Sequence, residues 1–200
     1  TEAPARFANA MTRMADRFVR ATAARDWQGV TDLFAQDLRF DDRRPLLRME
    51  LPRDGYLEQL RTLFDVPNAR WTATVLATRG ERLALFRLTL HGDVGDDGGP
   101  LEIEHLCVCG VDDDGRCDTI VLFEPGELDA AYAELDARYE AGEGAIHPPV
   151  TSRFREALAR RDWDAVAALC APGFTEHDNR SLAVLGTSAS PAAWVDNFRA

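Results

Sequence analysis

An α+β fold, with a helical layer ahead of an antiparallel sheet, follows from three features of the chain. Apolar residues recur at helical spacing through the first third. Four strand-like runs separated by turn clusters come next, and the helical opening then returns once, displaced by 136 residues from Trp27 to Trp163. A 3.6-residue period and a two-residue period cannot be satisfied by one backbone conformation, so the change near Trp71 marks where helices give way to strands.

Each element can be read in order. Phe7, Met11, Met14, Phe18 and Ala21 alternate at four- and three-residue steps, which predicts an amphipathic helix over 4–25. Asp26 is a natural N-cap for a second, short helix over 27–35 with Val30, Leu33 and Phe34 inward. Leu38-Arg39-Phe40 alternates as a short strand, and Pro52-Arg53-Asp54-Gly55 leads into a third helix carrying Tyr56, Leu57, Leu60, Leu63 and Phe64. Runs at 71–77, 82–91, 101–111 and 117–123 are strand-like, with turn clusters at Arg79-Gly80, 92–100 and Asp112-Asp113-Asp114-Gly115 between them, which predicts a meander. A last helix over 125–140 has Leu128, Ala131, Leu135 and Tyr139 on one face, and Gly142-Glu143-Gly144 with Pro148-Pro149 closes the unit.

The repeat sets the domain organisation. Arg25-Asp26-Trp27 returns as Arg161-Asp162-Trp163, and Phe18, Val30, Leu33 and Asp42 return as Phe154, Val166, Leu169 and Asp178. A unit this long is a domain and not a solenoid turn. Helices are predicted at 152–161 and 163–170, a strand near 173–177 and a third helix from 191. The reading is therefore a complete domain over 1–146 and the N-terminal part of a second over 147–200, with the chain a segment of a longer protein. Without a sheet of its own, the second copy must lean on the first domain, pair with another chain or be poorly ordered. Trp27 and Trp163 read as packing anchors between the first two helices of each copy.

Composition excludes several function classes. A net charge of −11 opposes nucleic acid or an anionic membrane as partner, because neutralising phosphates needs clustered cations. All 23 basic residues are arginine, and the densest cluster, Arg43, Arg44 and Arg48, is interleaved with Asp41, Asp42 and Glu50, which reads as a locally paired patch. No apolar run approaches the roughly 18 residues that span a bilayer. The expectation is a soluble, cytoplasmic segment. Of the four cysteines, Cys107 and Cys109 share one strand face, where a disulfide would be strained. His105-x-Cys107-x-Cys109 lacks the second ligand pair of a zinc site, so buried, reduced thiols and no metal or other cofactor are expected.

The order of elements, together with Phe18-x₇-Asp26-Trp27-x₂-Val30-x₂-Leu33-Phe34-Ala35-x-Asp37-x₂-Phe40-Asp41-Asp42, resembles the nuclear transport factor 2-like superfamily, which includes ketosteroid isomerases and SnoaL-like polyketide cyclases. The likeness covers residues 4 to about 142 and begins again in a truncated tandem copy. It implies a cone in which a curved sheet wraps the long helix and leaves a pocket at the wide end. It also places Asp42, and Asp178 in the second copy, at the position of the isomerase base. The isomerase donors are replaced: the first-helix tyrosine position falls on Phe18, and the protonated aspartate falls near Cys107. A phenyl ring cannot donate and a thiol donates weakly, so steroid-type isomerisation by that mechanism is not expected. His105, on the face with Cys107 and Cys109 that would look into the cone, is the candidate acid–base partner of Asp42. Phe18, Tyr56, Trp71, Phe86, Cys107 and Cys109 are the candidate pocket lining, with Met49 beside them, while Glu102 and Glu104 should point away.

Three functions remain open on these residues. The first is an accessory small-molecule-binding or association module with an apolar pocket for a small hydrophobic ligand. The second is an isomerase, cyclase or hydratase using Asp42 and His105. The third is a structural module that pairs within the chain or dimerises by burying Leu106 and Val108 of the outer sheet face.

Overall fold

In the computed structural model, which describes residues 8–93, 99–146, 150–177, 187–188 and 190–199, the first helix starts where a polar side chain can cap it. Helix α1 spans Ala10–Ala23. Asn9 closes a capping box: its side chain accepts from Thr12 N at 2.9 Å and its own N–H donates to Thr12 Oγ1 at 2.9 Å. The helix therefore begins later than the predicted residue 4; positions 4–7, including Phe7, lie outside the described residues. Asp26 caps α2, Trp27–Thr31, by accepting from Gly29 N at 2.9 Å.

This second helix ends before the predicted 35, because the next residues are claimed by a strand. Strand β1 runs Phe34–Asp42 and turns back into β2, Met49–Pro52, a short hairpin partner that apolar periodicity did not reveal. Helix α3 follows at Arg53–Phe64. Strands β3 (Arg70–Arg79), β4 (Leu83–Asp93), β5 (Pro100–Val111) and β6 (Cys117–Phe123) form the predicted antiparallel meander. The meander then pairs β6 in parallel with β1, giving a six-stranded mixed sheet in the order β2-β1-β6-β5-β4-β3. That long-range pairing explains the shortened α2: Phe34 sits opposite Cys117, and Cys117 N donates to Leu33 O at 2.8 Å. Register shifts at 34/39, 75/77 and 110/111 bend the sheet.

Strand alternation divides the side chains between two cores. Met11, Met14 and Phe18 of α1 and Leu60 and Phe64 of α3 pack with Phe40, Trp71, Phe86, Leu90, Cys107, Cys109 and Leu122 on the concave face. The opposite face carries Leu85, Leu106, Val108, Val121 and Phe123, which meet Ala131 and Leu135 of the last helix of this unit, α4, Leu128–Ala141. Leu106 and Val108 are each 0% exposed. This corrects the expected dimer face: α4 of the same chain already covers these two residues. Trp27 also reaches a third helix: its ring meets Phe64 of α3 edge-on at 5.1 Å, with the Arg61 guanidinium 5.0 Å above it, so it ties α2 to α3.

The residues divide into two compact units, Thr1–Glu143 and Gly144–Ala200. In the second, α5 (Val150–Ala159), α6 (Trp163–Ala168), the paired short strands β7 (Glu176–His177) and β8 (Thr187–Ser188), and α7 (Pro191–Arg199) surround Ala157, Val166 and Val195. The helices predicted at 152–161 and 163–170 end at Ala159 and Ala168, because Arg161 takes a left-handed φ of 54° ahead of the Asp162 cap and Leu169 C-caps α6. Asp178, Pro148 and Pro149 lie outside the described residues.

Candidate functional site

Alternation along β1 places Leu38, Phe40 and Asp42 on the concave side, so the strand ends with a carboxylate in an apolar wall. The Asp42 side chain is only 3% exposed. Burying a charge there requires a partner, and the chain supplies it two residues on. Arg44 donates from Nε to Oδ1 at 3.0 Å and from Nη2 to Oδ2 at 2.7 Å, and its backbone N–H reaches Oδ1 at 3.1 Å. The fork is bidentate, and the hydrogen bond to Asp42 raises the Arg44 pKa above the usual guanidinium value.

Asp42 and Arg44 sit in the wall of a cavity of about 400 Å³ on the concave face, between the sheet, α1 and α3. Phe18, Tyr56, Trp71, Met49 and His105 line the same cavity, together with Leu88, Leu90 and Ile103, which strand alternation from Phe86 and Cys107 could have nominated, and Leu122, the cross-strand partner of Cys107. A smaller cavity of about 60 Å³ shares Phe18 and Tyr56 with it and is lined further by Phe86, Cys107, Cys109 and a third thiol, Cys117. Every candidate residue of the first unit therefore borders one of two cavities that share Phe18, Tyr56 and Leu88 in their walls. The bend of the sheet around α1 brings them together.

The polar groups differ in state. His105 is 6% exposed, and its Nδ1 is buried with no hydrogen-bond partner. Burial, and secondarily the Arg44 charge, lower its pKa to about 4 against a smaller opposing effect of Asp42, so the imidazole is neutral at pH 7. Asp42 and His105 face one cavity but lie on β1 and β5 with β6 between them, and the register sets Asp42 level with Leu122 and Cys107, leaving His105 two residues further along β5. The Cys107 and Cys109 sulfurs are 2.9 Å apart and unoxidised. The hydrogen bond with Cys107, followed by burial, pushes the Cys109 thiol well up; the bond with Cys109 and burial do the same to Cys117. Burial also raises the Tyr56 hydroxyl. The deep end is thus uncharged.

Several other acidic and basic residues pair outside this cavity. Arg43 holds Asp41 at 2.7 Å and Glu134 at 2.8 Å, and Arg87 holds Glu104 at 2.7 Å. Among the described residues no group of three or more His, Cys, Asp or Glu side chains is arranged to hold a metal ion, and no helix is long and apolar enough to cross a membrane.

With this geometry in place, residues 15–118 match the SnoaL-like domain. The chain belongs to the SnoaL-like domain family. The fold of the SnoaL-like unit is also found in RV0760c of Mycobacterium tuberculosis in complex with estradiol-17beta-hemisuccinate, with a TM-score of 0.50 at 14% identity over 60% of this chain and 97% of that one. A Δ5-3-ketosteroid isomerase from Mycobacterium sp. superposes with a TM-score of 0.47 at 17% identity, covering 62% of this chain and 97% of that one. No curated protein matches the sequence.

Proposed function

We propose that the first unit is an accessory small-molecule-binding module, taking a small hydrophobic ligand into the concave cavity without turning it over. The observation that carries this is the cavity itself: about 400 Å³, walled by aromatic and aliphatic side chains, with a few polar groups at defined places. The complex of RV0760c with an estradiol ester supports the class of ligand by likeness of fold. Native mass spectrometry of the freshly purified chain, followed by equilibrium dialysis against naphthalene, tests it. Retained small molecule or micromolar uptake is expected; a chain that carries nothing and takes up nothing sinks the reading.

A second reading, acid–base catalysis by Asp42 and His105, is favoured by their common cavity. Two observations weigh against it. Both oxygens of Asp42 are occupied by Arg44, and a histidine with a pKa of about 4 is a weak base at neutral pH, far from the matched pKa that proton transfer favours.

The second unit we read as the start of another copy of the same domain. Its order of helix, helix, strand, strand, helix follows that of α1 to α3. Asp162 caps α6 by accepting from Ala165 N at 3.0 Å, as Asp26 does for α2, and Arg25 and Arg161 share left-handed φ values of 57° and 54°.

A further inference from the structure

Three side-chain atoms of the described residues are closed off from water and lack a hydrogen-bond partner: Trp71 Nε1, His105 Nδ1 and Glu176 Oε2. The Tyr56 hydroxyl differs from all three. It makes no hydrogen bond to a described residue, yet it is not closed off, so a group the size of water can touch it. Tyr56 lines both the 400 Å³ cavity and the 60 Å³ one. Burial pushes its hydroxyl well above the usual phenol range, and Cys117, Cys107 and Cys109 of the smaller cavity add to the rise, so the hydroxyl opens on enclosed space and not on bulk water. The ring that carries it stands on α3, with Phe34 edge-on at 5.2 Å and Phe40 tilted at 4.9 Å, and these contacts fix where the oxygen lies.

The surroundings of that oxygen restrict what can meet it. Phe18, Phe86, Leu88 and Ile120 help wall the smaller cavity, whose lining holds no charged side chain, and Asp42 and Arg44 of the larger one are spent on each other. A phenol hydroxyl donates one hydrogen bond and can accept another, which suits a hydroxyl or a carbonyl oxygen. An anion would give up its hydration here for one neutral hydrogen bond, which leaves it worse off than in water. We infer that the Tyr56 hydroxyl is the polar anchor of the cavity, selecting an uncharged apolar ring compound whose oxygen is turned to the wall that the two cavities share. This rests on the ligand-binding reading and adds which residue orients the ligand and what atom the ligand must carry there.

The test compares 2-naphthol with 2-methylnaphthalene, a compound of nearly the same shape without the oxygen, by equilibrium dialysis at neutral pH with the full chain and its Tyr56→Phe variant. The ratio of the two affinities should fall about fivefold in the variant, the worth of one hydrogen bond. Taking the ratio cancels changes in apolar contact. The charged counterpart, 2-naphthoate, should bind the unaltered chain less tightly than 2-naphthol. Because the hydroxyl has no partner within the protein, Tyr56→Phe should leave the urea midpoint where it is; a lowered midpoint would assign the hydroxyl to the fold and overturn the anchor. An independent readout uses tyrosine isotope-labelled at Cζ: of the three tyrosine resonances, the one missing from the variant should shift with 2-naphthol and not with 2-methylnaphthalene. A ratio unchanged in Tyr56→Phe, tighter binding of 2-naphthoate, or tyrosine resonances that respond alike to both neutral compounds overturns the anchor while the cavity reading stands. If none of these compounds binds, and naphthalene does not either, the cavity reading falls and takes the anchor with it.

Discussion

Arg44 and Asp42 are the charged pair on which the cavity wall depends. With side-chain exposures of 16% and 3%, they resemble a buried salt bridge, in which losing one partner is far worse than never having had either. Arg44→Ala should therefore cost about 3 kcal/mol in urea unfolding, while the double change Asp42→Leu with Arg44→Leu should cost less than the single one. His105 adds a pH dependence with a definite sign. Its folded pKa lies near 4 and its unfolded value near 6.5, so between these the unfolded chain binds more protons and stability falls as pH falls. At pH 4.5 the loss should reach roughly 2–3 kcal/mol relative to pH 7.5 and should be absent in His105→Gln, as read from urea midpoints at both pH values. The sequence placed Asp42 at a strand end beside two arginines and His105 on the inward face, because alternation and proximity are local. Their separation across β6 is not local. It depends on the parallel pairing of β1 with β6, which joins residues some 80 apart in the chain.

Element by element, helices and meander strands were legible because their periodicity is carried by their own residues. What escaped was fixed by pairing at a distance: the end of α2, the length of β1, and β2, whose four residues alternate too briefly to stand out. Capping lies between these cases. Asn9 could have been picked out as an N-cap, but its Nδ2 also donates to Gly80 O at 3.2 Å and Leu83 O at 3.0 Å, pinning α1 to the turn between β3 and β4. Gly80 itself holds a left-handed φ of 55°, and a Cβ there would run into Glu143. Asn9→Ala removes both the cap and the tether and should lower stability by about 2 kcal/mol. Asn9→Ser keeps the cap acceptor and loses the two donated bonds, so it should cost about half as much. Thermal unfolding of the three chains side by side separates the cap from the tether.

Taken as a molecule, the chain holds two units of unequal means. The first buries apolar side chains on both faces of a six-stranded sheet, with α1 and α3 on one side and α4 on the other. The second has a described core of Ala157, Val166 and Val195, and Val150 and Leu158 are 47% and 36% exposed. The repeat in sequence marks a second start because helix caps and anchors recur, and a cap says nothing about how much sheet stands behind it. Burial of that extent among the described residues sets little against an ordering cost of about 1–2 kcal/mol for each backbone residue. Residues 1–146 produced alone should therefore unfold cooperatively in urea, with a sigmoidal transition by circular dichroism, and residues 147–200 alone should show no such transition. The lining residues of both cavities fall between Met11 and Leu122, so ligand uptake should pass to the first fragment undiminished. A first fragment that folds but no longer takes up naphthalene, where the full chain does, would overturn that expectation.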